Sequence, residues 1–467
     1  MLKPKQRISF ICLLIFLSSY IVKPVSASNI TNEVVWPNGP NVYAEAAIVM
    51  EASTGLILYE KNIHQTYYPA SITKIMTALI ALENSSLGEV VTFSRDAIFE
   101  VELDSSRIGI DVGEQLTMQQ CLYAILLASA NEVTYAIAEH VAGSIPAFAE
   151  MMNEKAESLG CKNTNFTNPH GLPDSEHITT AYDMALITRE AMKNETFRKI
   201  TGTRTYQIPP TNIQPETRYL RNHHRFILKQ DYTYDGAIGG KTGYTSKARY
   251  TLASVAKRGD LELITVVLKD DSFAHQYTDT QKLFDYGFDN FSIYSIADLE
   301  NTNVVHESPF FTRYNHLLNK SDDTISTDEK GYLILPNTAS FEDAKKEVSF
   351  YPAAKEREND TIIGTISYSY HNKYVGGADI ILKNKEFPSL FHRTPNPGIA
   401  PIVPEDPKEK PGGSMRPVII GIIVGIFVLT IGLYFVLVER PRLKRRSAYY
   451  KKRANRKLYR DNDYLDL

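Results

Sequence analysis

The fold is best recognised from one segment of the chain, Tyr68-Pro69-Ala70-Ser71-Ile72-Thr73-Lys74-Ile75-Met76-Thr77. Apolar residues recur at helical spacing after Pro69, which predicts a helix that begins near Ser71 and ends near Leu82. A serine and a lysine three positions apart share one face of a helix, so the Lys74 amine can reach the Ser71 hydroxyl. Burial and neighbouring cations lower the pKa of a lysine, and the neutral amine can then act as a base. Taken alone, the pair could equally be a helix cap followed by a surface lysine.

Two further segments carry side chains that suit the same chemistry. Ser129-Ala130-Asn131 separates two predicted helices, where a hydroxyl can relay a proton to a leaving amine and an amide can hold a carbonyl. Alone, this segment could be an ordinary pair of capping residues. Lys241-Thr242-Gly243 follows Gly239-Gly240, and a strand edge with glycine lets a peptide pair alongside it. The Lys241 ammonium and Thr242 hydroxyl can bind a terminal carboxylate; the alternative is an exposed lysine on an edge strand.

The order Ser-x-x-Lys, Ser-x-Asn, Lys-Thr-Gly resembles that of the serine penicillin-recognising enzymes. Residues 68–77, 168–173 and 235–245 make the chain similar, more closely, to low-molecular-mass penicillin-binding proteins that are D-alanyl-D-alanine carboxypeptidases, peptidase family S11. The resemblance is strong over residues 40–290 and weaker at 360–365. It implies a hydrolase that removes the terminal D-Ala from peptidoglycan stem pentapeptides and is acylated by β-lactam antibiotics. We expect no metal and no cofactor.

Carried over by position, the resemblance implies that Ser71 is acylated, that Lys74 is the base and that Ser129 completes the proton relay. The backbone N–H groups of Ser71 and Tyr244 would form the oxyanion hole. The residues implied to bind substrate are Asn131, Lys241, Thr242, Gly243 and Tyr244. Two departures from the family pattern are Ala130, where glycine is usual, and Asn222-His223-His224, where Asn-x-Asn is usual.

The pattern of elements predicts an α+β fold with a β-lactamase/transpeptidase-like catalytic domain, in which helices cover an antiparallel sheet. Strand hairpins are expected at 44–59 and 250–268, and helices at 117–127, 132–142, 146–159 and 181–192. A small β-rich domain with strands at 331–335, 346–351 and 361–370 follows. The predicted boundaries are a signal peptide at 1–27, the catalytic domain at 35–292, the β-rich domain at 293–386, a proline-rich linker at 387–416, a transmembrane helix at 417–438 and a basic tail at 439–467.

Charge and hydropathy predict where the chain resides. Residues 3–22 combine basic residues with an apolar run and precede Val25-Ser26-Ala27, which indicates a secretory signal cleaved after Ala27; the alternative is an uncleaved anchor. Residues 417–438 carry no charge and suffice to span a bilayer. The basic tail behind them predicts a cytoplasmic C-terminus and an extracytoplasmic catalytic domain, held at the cytoplasmic membrane of a bacterium that we expect to be Gram-positive.

The same charges argue against nucleic acid as a partner. The formal charge is −3, and residues 439–467 hold eleven Lys/Arg against four Asp/Glu, so this tail is +7 and the rest carries −10. An acidic body with one basic end is not the footprint of a nucleic-acid-binding protein. After signal cleavage Cys121 and Cys161 remain, and we expect them to be buried thiols.

The sequence leaves several competing functions open. Residues 175–183 resemble the ligand motif of zinc D,D-peptidases, but Thr180 replaces its glycine and no later Glu-x-x-His follows, so we expect Thr179 and Thr180 to begin a helix instead. A β-lactamase would need a deacylating base, which Glu190-Ala191-Met192-Lys193-Asn194 matches only loosely. A D,D-endopeptidase could use the same site, and the fold could also serve as a catalytically silent wall-binding module.

Overall fold

The computed structural model describes residues 36–102, 104–299, 325–357 and 360–383. The strands, in chain order, are β1 (Ala46–Glu51), β2 (Ile57–Lys61), β3 (Val90–Thr92), β4 (Gln115–Thr117), β5 (Thr205–Ile208), β6 (Arg218–Arg221), β7 (Ala237–Thr245), β8 (Arg249–Arg258), β9 (Leu261–Asp270), β10 (Phe291–Ser295), β11 (Ile325–Thr327), β12 (Tyr332–Pro336), β13 (Lys345–Arg357), β14 (Asp360–Tyr370) and β15 (Lys373–Lys383). The helices are α1 (Lys74–Asn84), α2 (Arg95–Phe99), α3 (Met118–Leu127), α4 (Asn131–Ala142), α5 (Ile145–Ser158), α6 (Ala181–Ala191), α7 (Glu195–Thr201), α8 (Arg225–Leu228), α9 (Phe273–Asn290) and α10 (Ile296–Leu299).

The central element is a five-stranded antiparallel sheet in the order β2-β1-β9-β8-β7. All six residues of β1 are buried, and its alternate side chains enter two different cores: Ile48 lies on one face and Val49 on the other. Both faces are therefore covered, which is why these strands appear in the sequence as continuous apolar runs. The predicted hairpins at 44–59 and 250–268 are confirmed, and β7 is left at an edge of the sheet.

Helices cover both faces of this sheet. On one face α6 packs on β1 and β9, and α1, α3, α4 and α5 extend the same core; on the other face α9 packs on β8 and β9. The predicted helices at 117–127, 132–142, 146–159 and 181–192 are confirmed. Their starts follow local rules: the side chain of Thr117 caps α3 in a capping box, and those of Ser144 and Thr180 cap α5 and α6.

A second antiparallel sheet follows, with the order β10-β12-β15-β14-β13 and β11 paired to β15. The predicted strands at 331–335, 346–351 and 361–370 correspond to β12, β13 and β14. Buried side chains of this sheet, among them Leu335 and Tyr368, belong to the same hydrophobic core as α9. The two sheets are thus joined through a shared apolar interior.

Several elements lie outside the predicted ones, and the two longest of these are α9 and β15. In α9 polar residues outnumber apolar ones, so its apolar stripe is a weak signal in the sequence. In β15 Gly376 and Gly377 interrupt the strand pattern. The structure gives the reason for the first glycine: a Cβ at Gly376 would lie 2.1 Å from the Tyr332 carbonyl oxygen, so β12 and β15 approach closely there.

The two remaining cysteines are free thiols; Cys121 is buried, as expected, and Cys161 is half-buried. The signal peptide, the proline-rich linker, the transmembrane segment and the basic tail all lie outside the described residues. Within the described ranges, no helix combines the length and the apolar character that crossing a membrane requires.

Candidate active site

Ser71 lies in a short 3-10 turn, Ala70–Thr73, that continues directly into α1. Ala70 has a φ of 52°, a conformation that a residue other than glycine seldom adopts, and such strain is common at functional sites. The turn is fixed from the sheet side, because Thr251 of β8 donates a 2.9 Å hydrogen bond to the Pro69 carbonyl. The predicted position of Ser71 at the start of a helix is confirmed, and the first turn is 3-10.

The Lys74 amine is the centre of the hydrogen-bond network. It lies 3.0 Å from the Ser71 hydroxyl, 2.7 Å from the Asn131 Oδ1 atom and 2.7 Å from the His170 carbonyl oxygen. The side chain is completely buried. Burial, and then the charge of Lys241, hold the pKa of Lys74 well below its usual value, against the opposing effect of the Glu132 carboxylate. A neutral amine beside a serine hydroxyl is a competent general base.

Ser129 lies between α3 and α4, as predicted, and Asn131 stands at the start of α4. Ser129 has a left-handed backbone, with a φ of 61°, and lines the cavity in front of Ser71. Asn131 is the first residue of α4, and its backbone N–H donates to the Ser106 carbonyl at 2.9 Å. The sharp turn therefore presents the serine to the cavity and the amide to Lys74.

The third segment lies on β7, the edge strand beside Ser71. Thr242 and Tyr244 line the cavity, whereas Lys241 is buried and donates a 2.8 Å hydrogen bond to the Thr242 carbonyl. Burial lowers the pKa of Lys241 to about 7. A Cβ at Gly243 would lie 2.9 Å from the Ser71 backbone nitrogen, so this glycine lets the strand approach the serine turn.

A cavity of about 390 Å³ joins these segments. Five predicted site residues line it, namely Ser71, Ser129, Thr242, Gly243 and Tyr244. The other three are buried behind this lining and connect to it by hydrogen bonds, namely Lys74, Asn131 and Lys241. The structure thus brings together all eight predicted residues from three segments distant in the chain.

Residues that the sequence did not single out complete the site. His170 contributes its backbone carbonyl to Lys74, and Gly171 contacts the serine turn so closely that a Cβ would lie 1.9 Å from the Ala70 carbonyl oxygen. Glu132 is fully buried, and its carboxylate accepts from the backbone N–H groups of Ile108 and Gly109 at 2.7 and 3.2 Å. Asn168–Pro173 carried the family resemblance without an assigned role, and this was the available signal for His170.

The motif resembling a zinc site has structural roles. His177 accepts at Nδ1 from the Thr167 backbone N–H, so Nε2 carries the proton and donates to Thr73 at 2.9 Å. Burial lowers the pKa of His177 to about 4. Thr180 caps α6, as expected. Within the described ranges, one group of donor atoms is close enough to share a cation, on Asp270, Asp271 and His275, and none of these residues lines the cavity.

The two departures from the family pattern pack into the protein. Ala130 is buried, and the Asn222 amide donates to the carbonyls of Thr201 and Thr203. His224 is buried beside β7 and hydrogen-bonds Ser254 at 2.9 Å. Glu190, the loose match to a β-lactamase base, forms an ion pair with Lys193 at 2.7 Å and does not line the cavity.

Comparison with known proteins agrees with this geometry. The peptidase S11 family model, described as D-alanyl-D-alanine carboxypeptidase, matches residues 33–272. The chain is 35% identical over 255 residues to D-alanyl-D-alanine carboxypeptidase DacF of Bacillus subtilis, covering 54% of this chain and 64% of the relative. It is 32% identical over 260 residues to DacB2 of Mycobacterium tuberculosis, covering 54% of this chain and 84% of the relative.

Two solved structures extend the comparison. The Streptomyces K15 DD-transpeptidase matches with a TM-score of 0.51 and 30% identity, covering 54% of this chain and 100% of that one. Penicillin binding protein 5 from Haemophilus influenzae matches with a TM-score of 0.59 over 74% of this chain and 98% of that one, and at 24% identity it supports the fold alone. A family match that extends over half of the chain and contains the whole site leads to one conclusion: the chain belongs to the peptidase S11 family of D-alanyl-D-alanine carboxypeptidases.

Proposed function

We propose that this chain is a serine-type, penicillin-binding D-alanyl-D-alanine carboxypeptidase that removes the terminal D-Ala from peptidoglycan stem pentapeptides through an acyl-enzyme on Ser71. The observation that carries the proposal is the buried Lys74 amine, 3.0 Å from the Ser71 hydroxyl and next to an edge strand. β-Lactam antibiotics acylate the same serine.

In the first step the neutral Lys74 amine takes the Ser71 proton while the oxygen attacks the carbonyl of the penultimate D-Ala. The bond from Ser71 Oγ to carbon forms, the carbon–nitrogen bond breaks, and Ser129 passes the proton to the leaving amine. D-Ala departs. Water then hydrolyses the ester with Lys74 as base, which restores the free serine.

Recognition of the substrate follows from the edge strand and its charges. The peptide lies along β7, where backbone groups at the sheet edge can pair with it. The Thr242 hydroxyl binds the terminal carboxylate, and the buried Lys241 ammonium adds its charge from behind. The backbone N–H groups of Ser71 and Tyr244 stabilise the oxyanion that develops on the attacked carbonyl.

Export and anchoring are part of the proposal and rest on sequence alone. The signal at residues 1–27 and the uncharged segment at 417–438 would hold the catalytic domain outside a bacterial cytoplasmic membrane with the basic tail inside. The proline-rich residues 387–416 would act as a semi-rigid spacer to the wall. This location would place Ser71 where peptidoglycan is found.

A labelling experiment tests the mechanism. Full-length protein in detergent should form an adduct with fluorescent penicillin and release D-Ala from a pentapeptide. Ser71→Ala should do neither, whereas Ser158→Ala, at an exposed serine on α5, should do both. D-Ala release by the Ser71→Ala protein would contradict the mechanism. An adduct without D-Ala release in the wild type would favour a D,D-endopeptidase or a wall-binding module.

A further inference from the structure

A second depression continues from the catalytic cavity on the side of Ser129. Its volume is about 490 Å³, and it shares Ser106, Arg221 and His223 with the catalytic cavity. One wall is the loop that carries Ser106 and Arg107, and the other is β6 with Arg218 and Arg221. Ala128, the neighbour of Ser129, also contributes to it. We call this depression the arginine groove.

The arginine groove carries positive charge on an acidic protein. Three arginines and no Asp or Glu line it, although residues 1–438 together carry −10. A concave site lined by one sign of charge concentrates ligands of the opposite sign. The groove is therefore suited to an anionic group.

The three arginines differ in the partners that their side chains already have. Arg218 is paired with the buried Glu114 carboxylate at 2.5 Å. Arg107 donates to the Ile98 carbonyl at 2.7 Å, and its charge is felt by the Glu132 carboxylate. Arg221 is exposed, and within the described ranges its side chain hydrogen-bonds the neutral Gln230 amide and pairs with no carboxylate. Arg221 is thus the cation available to a ligand.

The direction of the groove identifies which part of a substrate would enter it; this step rests on the proposed function. Ser129 delivers the proton to the leaving amine, so the leaving group lies on the Ser129 side of the scissile bond. The carboxylate of a leaving D-Ala is bound at Thr242, within the catalytic cavity, and a methyl side chain is too short to continue into the groove. Because Arg221 lines both the catalytic cavity and the groove, a leaving residue with a longer side chain that extends toward the groove can reach its guanidinium.

We propose that the arginine groove binds a leaving residue larger than alanine that carries a second carboxylate, so that the chain also cuts D-alanyl bonds to acidic D-residues. The chemistry is unchanged: the bond from Ser71 Oγ to carbon forms, the carbon–nitrogen bond breaks, Ser129 passes the proton that left Ser71 to the nitrogen, and the acidic residue departs as the free amine. Arg221 contributes a charge-assisted hydrogen bond to the second carboxylate. The substrate class therefore includes peptides whose leaving residue carries two carboxylates.

Two isosteric substrates test this proposal. The compounds are diacetyl-L-Lys-D-Ala-D-Glu and diacetyl-L-Lys-D-Ala-D-Gln, which differ in the charge of the leaving side chain and hardly in its size. The wild-type full-length protein should cleave the D-Glu compound with a kcat/KM about five- to tenfold higher, as befits an ion pair at a partly exposed site. The preference should shrink as ionic strength rises, because salt screens the pair.

Two variants test whether Arg221 causes the preference for the D-Glu compound. Arg221→Gln should reduce the ratio of the two kcat/KM values to about one, and because both rates come from one preparation, any loss of folded enzyme cancels. Arg95→Gln removes the same charge at an exposed position on α2 outside the groove, and it should keep the wild-type ratio.

Three results would overturn the proposal: equal kcat/KM values for the two compounds in the wild type, a preference that survives Arg221→Gln, or no cleavage of either compound by protein that releases D-Ala from diacetyl-L-Lys-D-Ala-D-Ala. If the protein does not release D-Ala from diacetyl-L-Lys-D-Ala-D-Ala, the result would instead count against the carboxypeptidase function itself.

Discussion

Lys74 contacts Ser71, Asn131 and His170, which lie 3, 57 and 96 positions away in the chain. These three contacts fix the position of the amine, and burial of the side chain lowers its pKa. Burial and the charge of Lys241 favour the neutral amine, and they outweigh the Glu132 carboxylate, which favours the charged form. The charges of Lys241 and Glu132 can therefore be tested through the pKa of Lys74.

A pH profile tests the role of Glu132. The Glu132 carboxylate raises the pKa of Lys74, so Glu132→Gln should lower it, while the amide oxygen can still accept from the Ile108 N–H. Acylation requires neutral Lys74 and rises with pH through its pKa, so the acidic limb of penicillin acylation should move to lower pH. An unmoved or upward-shifted limb in stopped-flow labelling would contradict this assignment.

Lys241 should have the opposite effect on the same limb. Its charge lowers the pKa of Lys74, so Lys241→Gln should move the acidic limb to higher pH. Lys241 itself has a pKa of about 7, so in the wild type kcat/KM for the peptide should fall above that pH as its charge is lost, and Lys241→Gln should abolish this alkaline limb. His177 and His223, with pKa values of about 4, stay neutral through this range. A retained alkaline limb would exclude Lys241 as its source.

At the scale of elements, the site depends on how closely β7 approaches the turn that carries Ser71. The contact point is Gly243, where an added Cβ would lie 2.3 Å from the Thr251 hydroxyl and 2.9 Å from the Ser71 nitrogen. Thr251 also fixes the Pro69 carbonyl, so displacement of this threonine would release the turn. The strand, the turn and the neighbouring strand β8 thus behave as one assembly.

Substitution of Gly243 by alanine should separate β7 from the serine turn. We expect a loss of stability of about 1–3 kcal/mol from overpacking and a fall in kcat/KM of about a hundredfold, because the reacting groups move apart. The matched control is Gly88→Ala, at a glycine with open space around its Cβ position. Thermal denaturation and D-Ala release measure the two effects, and equal behaviour of the two variants would disprove the packing argument.

At the scale of the molecule, the two sheets share one apolar interior around α9 and β10. Phe291 is 2% exposed and lies where α9 passes into β10. Its ring centroid is 5.0 Å from that of Trp36 and 5.6 Å from that of Tyr286, and its backbone pairs with Pro336 of the second sheet. The residue therefore contacts both halves of the described structure.

Phe291→Ala should destabilise both sheets together. We expect a cost of about 3–5 kcal/mol for the cavity left behind, seen by calorimetry as one transition at lower temperature, with penicillin labelling lost over the same range. Phe99→Ala, at a phenylalanine that is 58% exposed, should cost less than about 0.5 kcal/mol. Two resolved transitions in the Phe291→Ala protein would show that the sheets unfold independently.

The elements were largely predictable because their signals are local. Apolar runs, helical spacing and capping residues predicted the hairpins and five helices of the catalytic region, and three strands of the second sheet. α9 and β15 were missed because a polar helix and a strand with two glycines give weak local signals, and tertiary packing stabilises them instead.

By itself the sequence determined which reactive side chains the protein owns, in what order, and on which kind of element each lies: Ser71 and Lys74 at a helix start, Ser129 and Asn131 between helices, Lys241 and Thr242 on a strand. Only the tertiary structure decided that Lys74 and Lys241 are buried close to each other and to Glu132. It also decided that the His170 carbonyl accepts a hydrogen bond from Lys74, and that Arg221 lines a groove next to the catalytic cavity. The reason is physical: a pKa and a binding site depend on desolvation and on charges brought close through space, and these come from residues far apart along the chain.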